Sequence, residues 1–390
     1  MSSTQSLTQL FALDHLLEPE EIQIRDTVRK FAAERIRPHI AEWFEAASLP
    51  ARELAKEFGS LGLLGMHLDG YDCAGMSATA YGLACLELEA VDSGIRSLVS
   101  VQGSLAMFSI HHWGSEQQKQ EWLPKMAVGE AIGCFGLTEP DFGSNPGGMR
   151  TNAKRDGDDW ILNGTKMWIT NGSIADVAVV WAQTDDGVRG FVVPTDTPGF
   201  SAPEIHSKMS LRASVTSELV LDSVRLPASA MLPEAKGLRG PLSALNEARF
   251  GIAFGAIGAA RDCLETAIDY AETREVFDKP LAAYQLTQAK IADMALEVGK
   301  GHLLAYNLGR IKDRGEVTPE QISTGKLNNT RESIEIARTC RTILGANGIT
   351  LEYPVIRHAN NLESVLTYEG TTEMHQLSIG RALTGESAFR

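Results

Sequence analysis

The hydrophobic periodicity of this chain changes twice, and that change constrains its fold more than any other feature. In the first third, apolar residues such as Ile24, Val28 and Phe31 recur at spacings of three and four, which is typical of amphipathic helices. Between about Gly133 and Pro241, short apolar runs are separated by turns rich in Gly and Asp, which is typical of strands. After Pro241 the helical period returns almost to the end, in the long runs Arg249–Arg274, Ala282–Lys312 and Pro319–Leu344. The sequence therefore predicts an α+β fold that is mainly α.

Three domains follow from this pattern. We expect an N-terminal helical domain over residues 1–132, a middle domain with an antiparallel β-barrel or sandwich over 133–241, and a C-terminal four-helix bundle over 242–390. In the middle domain, Asn163-Gly164 separates two apolar runs and predicts a tight hairpin. The glycines within Arg249–Arg274 lie in a helical run rather than after a strand, so they indicate helix packing and not a dinucleotide-binding turn.

Charge and cysteine usage exclude several classes of protein. With 36 Lys and Arg against 50 Asp and Glu, the formal net charge is −14, which argues against a general binder of nucleic acid or anionic membranes. The five cysteines are scattered without a C-x-x-C pair, so we expect neither a disulfide framework nor a metal site. The sequence shows no apolar run of about 18 residues and no basic residue before Arg25, and it predicts a cytoplasmic protein.

Two loops contain residues suited to catalysis or ligand binding. Phe135–Ser144 joins the first helical segment to the strands, and its Gly, Thr and Ser would present N–H groups and hydroxyls to an anion. A purely structural turn is the alternative for this stretch. Glu369 stands at a bend before a helix that begins near Thr371, and a carboxylate held there against an apolar wall would act as a base with a raised pKa. A solvated loop acid is the alternative for Glu369.

Arg96 is a third candidate, in the polar stretch Val91–Ser97. If it is buried at the end of a pocket, its guanidinium would select a carboxylate through charge-assisted hydrogen bonds. Otherwise it would form an ion pair with Asp92 or Glu89, which contributes little to stability if it is exposed. The residues themselves leave both interpretations open.

Taken together, these segments resemble the acyl-CoA dehydrogenase family over essentially the whole chain. The motifs that carry the resemblance share their order and spacing with that family and are Phe135–Ser144, Trp168-Ile169-Thr170, Arg274-x-x-Phe277-x-x-Pro280-Leu281 and Tyr368-Glu369-Gly370-Thr371. The resemblance implies FAD as cofactor, an acyl-CoA as substrate and electron-transferring flavoprotein as the electron acceptor. It also implies a homo-oligomer, which in this family is usually a tetramer.

Residue roles are implied by the same resemblance. Glu369 would take the α-proton of the acyl thioester while a hydride passes from the β-carbon to the flavin. The positions that would bind FAD are Phe135, Leu137, Thr138, Gly143, Ser144, Trp168, Ile169, Thr170, Arg274, Phe277, Gln285, Thr371, Thr372 and Glu373. Of these, Arg274, Phe277 and Gln285 would reach FAD bound mainly to a neighbouring subunit. The positions that would contact acyl-CoA are Ser144, Asn246, Arg249, Tyr368 and Gly370.

Within the family, Val91-Asp92-Ser93-Gly94-x-Arg96-Ser97 followed by Ser100-Val101-Gln102 resembles the glutaryl-CoA branch. The resemblance implies that Arg96 binds a distal carboxylate, assisted by Glu89, Ser97 and Ser100. It further implies oxidative decarboxylation of glutaryl-CoA to crotonyl-CoA and CO2, a step of lysine and tryptophan degradation. Tyr368 and Thr170 match positions associated with decarboxylating members.

One departure from that branch favours an alternative. After Gly370 the chain reads Thr371-Thr372-Glu373-Met374-His375, where the branch typically has Thr-His-Asp-Ile-His. The alternative is therefore a general short- or branched-chain acyl-CoA dehydrogenase without decarboxylation, in which Arg96 forms a structural ion pair. A flavin-bearing relative that binds nucleic acid is disfavoured by the charge of −14. A non-catalytic helical scaffold would be indicated by purified protein without yellow colour after addition of FAD.

Overall fold

The computed structural model describes residues 5–388 and folds into helical, β and helical parts in that order. The helices of the first part are α1 (Leu7–Leu10), α2 (Pro19–Phe31), α3 (Ile40–Ala46), α4 (Ala51–Ser60), α5 (Ala78–Glu89), α6 (Ser93–Ser100), α7 (Phe108–Trp113) and α8 (Glu116–Ala127). Two π-helical segments, Ala32–Ile36 and Val101–Met107, follow α2 and α6 directly. The long helix α5 is buried all round, because it packs between α2 on one side and the C-terminal helices on the other.

The middle part is a curled sheet. Its strands are β1 (Gly133–Gly136), β2 (Asn152–Asp156), β3 (Asp159–Thr170), β4 (Val177–Thr184), β5 (Gly187–Pro194), β6 (Phe200–Ser201) and β7 (Thr216–Pro227). They lie in the order β1-β4-β2-β3-β7-β6, and β5 pairs with β4. Most pairings are antiparallel as expected, but β1 runs parallel to β4, and β2 meets β4 through one parallel pair.

The prediction of a hairpin turn at Asn163-Gly164 is wrong. The β2–β3 turn lies at Gly157-Asp158, where Gly157 has a φ of +63° and Asp156 pairs with Asp159. Asn163 and Gly164 lie inside β3, at a shift of its register against β7. An ideal Cβ on Gly164 would lie 2.5 Å from Thr151 Oγ1, so this glycine serves a close approach within the sheet rather than a turn.

The C-terminal part returns to helices. Its elements are α9 (Arg239–Thr273), β8 (Glu275–Val276), β9 (Lys279–Pro280), α10 (Gln285–Asp313), α11 (Pro319–Ile343), α12 (Val355–Thr367) and α13 (Thr372–Thr384). The glycines of α9 lie at close contacts: an ideal Cβ on Gly258 would lie 2.0 Å from Leu86 O in α5. This confirms the interpretation that the glycines serve helix packing. The expected helix–sheet–helix fold is confirmed as well.

The candidate site lies where the N-terminal helical part meets the C-terminal helical part. Helix α6 packs against α9 and α12, and the short loop between α12 and α13 lies beside them. Helices α5, α9 and α11 form the walls behind this loop. Within residues 5–388, no helix is both long enough and apolar enough to cross a membrane.

Candidate active site

The loop that carries Glu369 makes a sharp bend. Helix α12 ends at Thr367 and α13 begins at Thr372, so four residues reverse the chain direction. Glu369 has a φ of +55° and Gly370 a φ of +107°. For a residue with a Cβ, the left-handed region costs roughly 1–2 kcal/mol, so the surroundings of Glu369 must hold it there.

One buried cation and one half-buried cation hold this loop through its carbonyl groups. Lys326 in α11 is 1% exposed, and its ammonium donates hydrogen bonds of 3.0, 3.0 and 2.7 Å to the carbonyl oxygens of Leu366, Tyr368 and Gly370. Arg249 in α9 donates from Nε to the carbonyl oxygen of Glu369 at 2.5 Å. Thr371 then caps α13 by accepting a hydrogen bond from Met374 N.

The carboxylate of Glu369 is poised to accept a proton near neutral pH. Its Oε2 atom is buried and has no hydrogen-bond partner among the described residues. Burial raises the pKa of Glu369 to about 7, although the charges of Arg96, Arg249 and Lys326 act in the opposite direction. The structure thus favours the sequence interpretation of a base over that of a solvated loop acid.

Arg96 lies at the inner end of the same site. It is 1% exposed, and its Nε donates to Glu89 Oε2 at 2.7 Å while Nη2 donates to the hydroxyl of Tyr368. Burial alone would lower the pKa of Arg96, but the carboxylate of Glu89 holds it well above its ordinary value. Asp92, the other partner considered for Arg96, instead caps α6 and pairs with Arg357 at 2.6 Å.

Several buried polar atoms around Arg96 remain without partners. In the described part of the chain, Glu89 Oε1, Ser97 Oγ and Ser100 Oγ are buried and form no hydrogen bond of normal geometry, although the hydroxyls of Tyr368 and Tyr81 lie near Ser97 and Ser100. Buried polar groups of this kind are normally satisfied, so their clustering at one place indicates capacity for a polar ligand group. The structure therefore brings Glu89, Arg96, Ser97 and Ser100 together with Tyr368 and Glu369, as the sequence predicts.

The motif around Arg96 is fixed by contacts that sequence reasoning did not supply. Asp92 accepts hydrogen bonds from Gly94 N, Arg357 Nη1 and Asn361 Nδ2, so it ties α6 to α12. A Cβ on Gly94 would lie 2.2 Å from the carbonyl oxygen of Ala213, which explains the glycine beside Asp92.

Lys326 was also missed, and a signal for it exists. It belongs to a helical face of α11 on which polar residues recur at spacings of three and four, and that face is buried: Lys326, Asn329, Thr330 and Ser333. Polar groups on a buried face are informative, because they must find partners inside the protein.

A second surface is formed by the residues predicted to bind the flavin. Trp168 is 58% exposed and has a φ of +63°, at a second irregularity between β3 and β7. The loop Phe135–Ser144 is held against β3 by a hydrogen bond from Met167 N to Thr138 O at 2.8 Å. Below them, the buried Lys166 donates to Glu139 Oε1 and to the carbonyl of Leu137.

The exposed groups on this surface fit a flavin dinucleotide. Gly143 and Ser144 are exposed, Thr138 and Thr170 are partly exposed, and a Cβ on Gly143 would meet no atom within 4 Å. A flat exposed indole beside hydroxyl groups and an open glycine suits an aromatic ring that carries phosphates. Phe135, Leu137 and Ile169 are buried below this surface. The first turn of α13, at Thr371, Thr372 and Glu373, is partly or fully exposed.

Arg274, Phe277 and Gln285 lie apart on an exposed segment. Phe277 is 88% exposed, and the hydrogen bonds of the segment are local, such as that from Leu281 N to Arg274 O. Their proposed contribution to the cofactor site of a neighbouring subunit stays a prediction.

Asn246, one of the positions expected to contact CoA, borders an open cavity. Arg249 Nη1 donates to Asn246 Oδ1 at 3.0 Å, and Asn246 joins Arg239 and Lys312 in lining a cavity of about 320 Å³. Glu247 lies in the same wall and is paired with Lys312 at 2.6 Å. The cavity thus combines two cations, one of them already paired, with the amide of Asn246.

Comparisons with known proteins agree with this geometry. Three family models match consecutive parts of the chain: the acyl-CoA dehydrogenase N-terminal domain at residues 18–130, the middle domain at 134–224 and the C-terminal domain at 235–384. The short-chain specific acyl-CoA dehydrogenase of human mitochondria is 36% identical over 93% of this chain and 89% of that protein.

Solved structures match as closely. A glutaryl-CoA dehydrogenase from Mycobacterium smegmatis, crystallised in complex with FADH2, has a TM-score of 0.98 and 72% identity over 99% of this chain and 100% of that chain. Butyryl-CoA dehydrogenase from Megasphaera elsdenii has a TM-score of 0.90 and 31% identity over 94% of this chain and 98% of that chain.

Proposed function

This chain belongs to the acyl-CoA dehydrogenase family, and from that premise we propose that it oxidises and decarboxylates glutaryl-CoA to crotonyl-CoA and CO2. It is an oxidoreductase with FAD as cofactor. Glutaryl-CoA as substrate is supported by the similarity to the mycobacterial glutaryl-CoA dehydrogenase. Transfer of electrons to electron-transferring flavoprotein, a homotetramer, a cytoplasmic location and a place in lysine and tryptophan degradation stay predictions.

The observation that carries the substrate assignment is the buried polar cluster around Arg96. Its guanidinium has five N–H donors, and the bonds to Glu89 and Tyr368 use two of its three nitrogens. An alkyl chain in this place would offer no acceptor to Arg96, Ser97 or Ser100, whose hydroxyls lack a hydrogen bond of normal geometry, and this disfavours an uncharged acyl group. A carboxylate at the far end of the acyl chain would accept hydrogen bonds from these groups.

The residues of this chain account for the proton movements. Glu369 takes the α-proton, and the burial that raises its pKa to about 7 lets it hold that proton near neutral pH. When bound, FAD accepts the hydride from the β-carbon. The product carries a carboxylate on its γ-carbon, in a position vinylogous to the thioester, so loss of CO2 leaves its electron pair in a dienolate. Protonated Glu369 returns its proton to the γ-carbon of that dienolate, and crotonyl-CoA results.

The test is anaerobic mixing of the purified yellow protein with glutaryl-CoA, with the flavin absorbance and the acyl products followed together. We expect rapid bleaching with crotonyl-CoA and CO2 as products. Glutaconyl-CoA alone would show oxidation without decarboxylation. Bleaching with butyryl- or isobutyryl-CoA but not with glutaryl-CoA would show an ordinary member of the family, in which Arg96 is structural.

Replacement of Arg96 by Met separates these functions further. We expect kcat/KM for glutaryl-CoA to fall at least about 100-fold relative to that for butyryl-CoA, because the carboxylate loses a charge-assisted partner. The matched control is Arg261→Met, which removes a buried arginine that pairs with Glu87 at 2.7 Å instead. The control is expected to lower stability and to leave the ratio of the two substrates unchanged. An equal change in both variants would overturn the assignment of Arg96.

A further inference from the structure

The loop of Glu369 is held by bonds that leave little freedom. The carbonyl oxygens of Leu366, Tyr368 and Gly370 all accept from one ammonium group, that of Lys326, and the carbonyl of Glu369 accepts from Arg249. An ammonium has three N–H donors, and the three carbonyl bonds use all of them. Lys326 therefore has no donor left for a substrate, and all three of its hydrogen bonds hold the backbone of this loop.

This shape is one that Glu369 would not adopt by itself. Its φ of +55° lies in the left-handed region, where a residue with a Cβ is strained. The following Gly370 has no room for a side chain, because an ideal Cβ would lie 2.9 Å from Nε2 of the buried His375. The loop is thus confined by His375 on one side and by the two cations on the other.

The charges around Lys326 come from each element packed against it. Glu369 lies on the loop, Arg249 on α9, Arg96 on α6 and His375 on α13. Burial lowers the pKa of His375 to about 3, so this histidine is neutral and adds no charge. Burial also lowers the pKa of Lys326 to about 7, while the carboxylate of Glu369 favours its charged form. The carboxylate that favours the charge of Lys326 thus belongs to the residue whose loop Lys326 holds.

We propose that Lys326 is a positioning residue for the catalytic base: its ammonium holds the loop of Glu369 in the left-handed conformation and supplies positive charge that favours ionised Glu369. The inference rests on the proposed role of Glu369 as the base but not on the identity of the acyl group. Lys326 touches neither substrate nor cofactor in this scheme, and it acts only through the loop.

The test compares Lys326→Met with Lys326→Arg in the FAD-loaded enzyme, with any acyl-CoA that bleaches the wild-type flavin. For Lys326→Met we expect kcat to fall at least about tenfold with KM changed less than about threefold, because a displaced base slows chemistry more than binding. The ascending limb of the pH profile is expected to move to higher pH by about one unit, since a cation near the carboxylate is lost. Lys326→Arg keeps the charge, so its limb should stay at the wild-type pH.

A second measurement does not depend on activity. Amide hydrogen exchange of residues 366–371 should become faster in Lys326→Met, because the loop loses three hydrogen bonds. The matched control is Asn329→Ala, one turn further along α11, which removes bonds to the carbonyls of Ala253 and Gly301 and none to the loop. This control is expected to lower the melting temperature without changing the pH profile or exchange in 366–371.

Several outcomes would overturn the proposal. One is a Lys326→Met enzyme whose pH profile and loop exchange match those of Asn329→Ala. If Lys326→Met does not fold, Lys326→Gln, which keeps a donor without the charge, takes its place. Failure of both to fold, with Lys326→Arg fully active, would make Lys326 a folding residue and the proposal wrong. Failure of the proposed function is distinguishable, because it would appear as bleaching by Glu369→Gln or as none by the wild type.

Discussion

Burial gives Glu369 the raised pKa that its proposed role as the catalytic base requires. Abstraction of a proton from carbon near neutral pH needs a carboxylate whose pKa is raised towards 7, and burial raises the pKa of Glu369 to about 7. Glu369→Gln keeps the shape of the side chain but accepts no proton. We expect flavin bleaching to slow by about 10²–10⁴-fold with the bound FAD retained. Measurement is by stopped-flow absorbance, and a loss below tenfold would contradict the role of Glu369.

The pH dependence of the same step follows with a defined sign. Only ionised Glu369 accepts a proton, so the bleaching rate should rise about tenfold per pH unit below pH 7 and level off near pH 7. Above that pH the rate should fall again, because Lys326, whose pKa burial lowers to about 7, loses the charge that holds the loop. A glutamate with an ordinary pKa would place this midpoint near pH 4.5. Rates recorded between about pH 5.5 and 8.5 distinguish the two cases, and a flat profile in that range would show that burial does not control the base.

At the residue scale, the sequence indicates the candidate site residues better than the residues that hold them in place. Glu369 and Arg96 were identified from short motifs, and the structure places them at one site. Lys326 was not, because its function depends on three carbonyl groups about 40 residues further along the chain. Every residue type has the same backbone carbonyl group, so a sequence motif does not show which carbonyl groups accept these hydrogen bonds.

At the scale of elements, periodicity predicts long helices well and turns less well. The runs that predict α9, α10 and α11 agree with the structure to within a few residues at most ends, although α9 begins ten residues earlier, at Arg239. The Asn163-Gly164 turn failed because the strand pattern continues through it, and Gly157 offers an alternative turn in the same stretch. Local turn signals do not decide between two such positions. The decision comes from pairing with strands that are distant in the sequence.

A glycine contact between two helices provides a test at this scale. A Cβ on Gly258 of α9 would lie 2.0 Å from the carbonyl oxygen of Leu86, which cannot move unless α5 moves. Gly258→Ala should therefore lower the free energy of unfolding by about 1–3 kcal/mol, despite the better helix propensity of alanine. The control is Gly380→Ala in α13, where no atom lies within 4 Å and no loss is expected. Equal effects in thermal unfolding would contradict a direct α5–α9 contact.

At the scale of the whole molecule, the first helices are fastened to the last by buried or partly buried pairs. Thr79 donates to Asp313 at 2.6 Å, and Arg310 donates to Glu21 at 2.6 Å. Arg357 pairs with Asp92 in the same way. These partners lie more than 200 residues apart, so the sequence predicts three domains but not how they enclose the site. The candidate site therefore forms only where the two helical parts pack together.

Helix α10 exposes several apolar side chains. Leu286, Leu296 and Leu303 are 81%, 54% and 43% exposed, and all lie at spacings that share one face of the helix. Phe277 is exposed at the start of the same region. Apolar rows of this kind mark protein–protein contacts more often than free surface. They support the prediction of a homo-oligomer, in which Arg274, Phe277 and Gln285 complete the FAD site of a neighbour.

The double variant Leu296→Asp, Leu303→Asp tests this prediction. Charged groups on the contact face would have to be buried without partners, so we expect the assembly to dissociate and the bound FAD to be lost along with it. Sedimentation velocity gives the mass, and the ratio of flavin to protein absorbance gives the occupancy. The control is Leu61→Asp, because Leu61 is 38% exposed in the N-terminal helical part and should affect neither quantity. Dissociated protein that keeps its FAD would show that each chain binds the cofactor alone, and a variant with unchanged mass would show that α10 lies outside the contact.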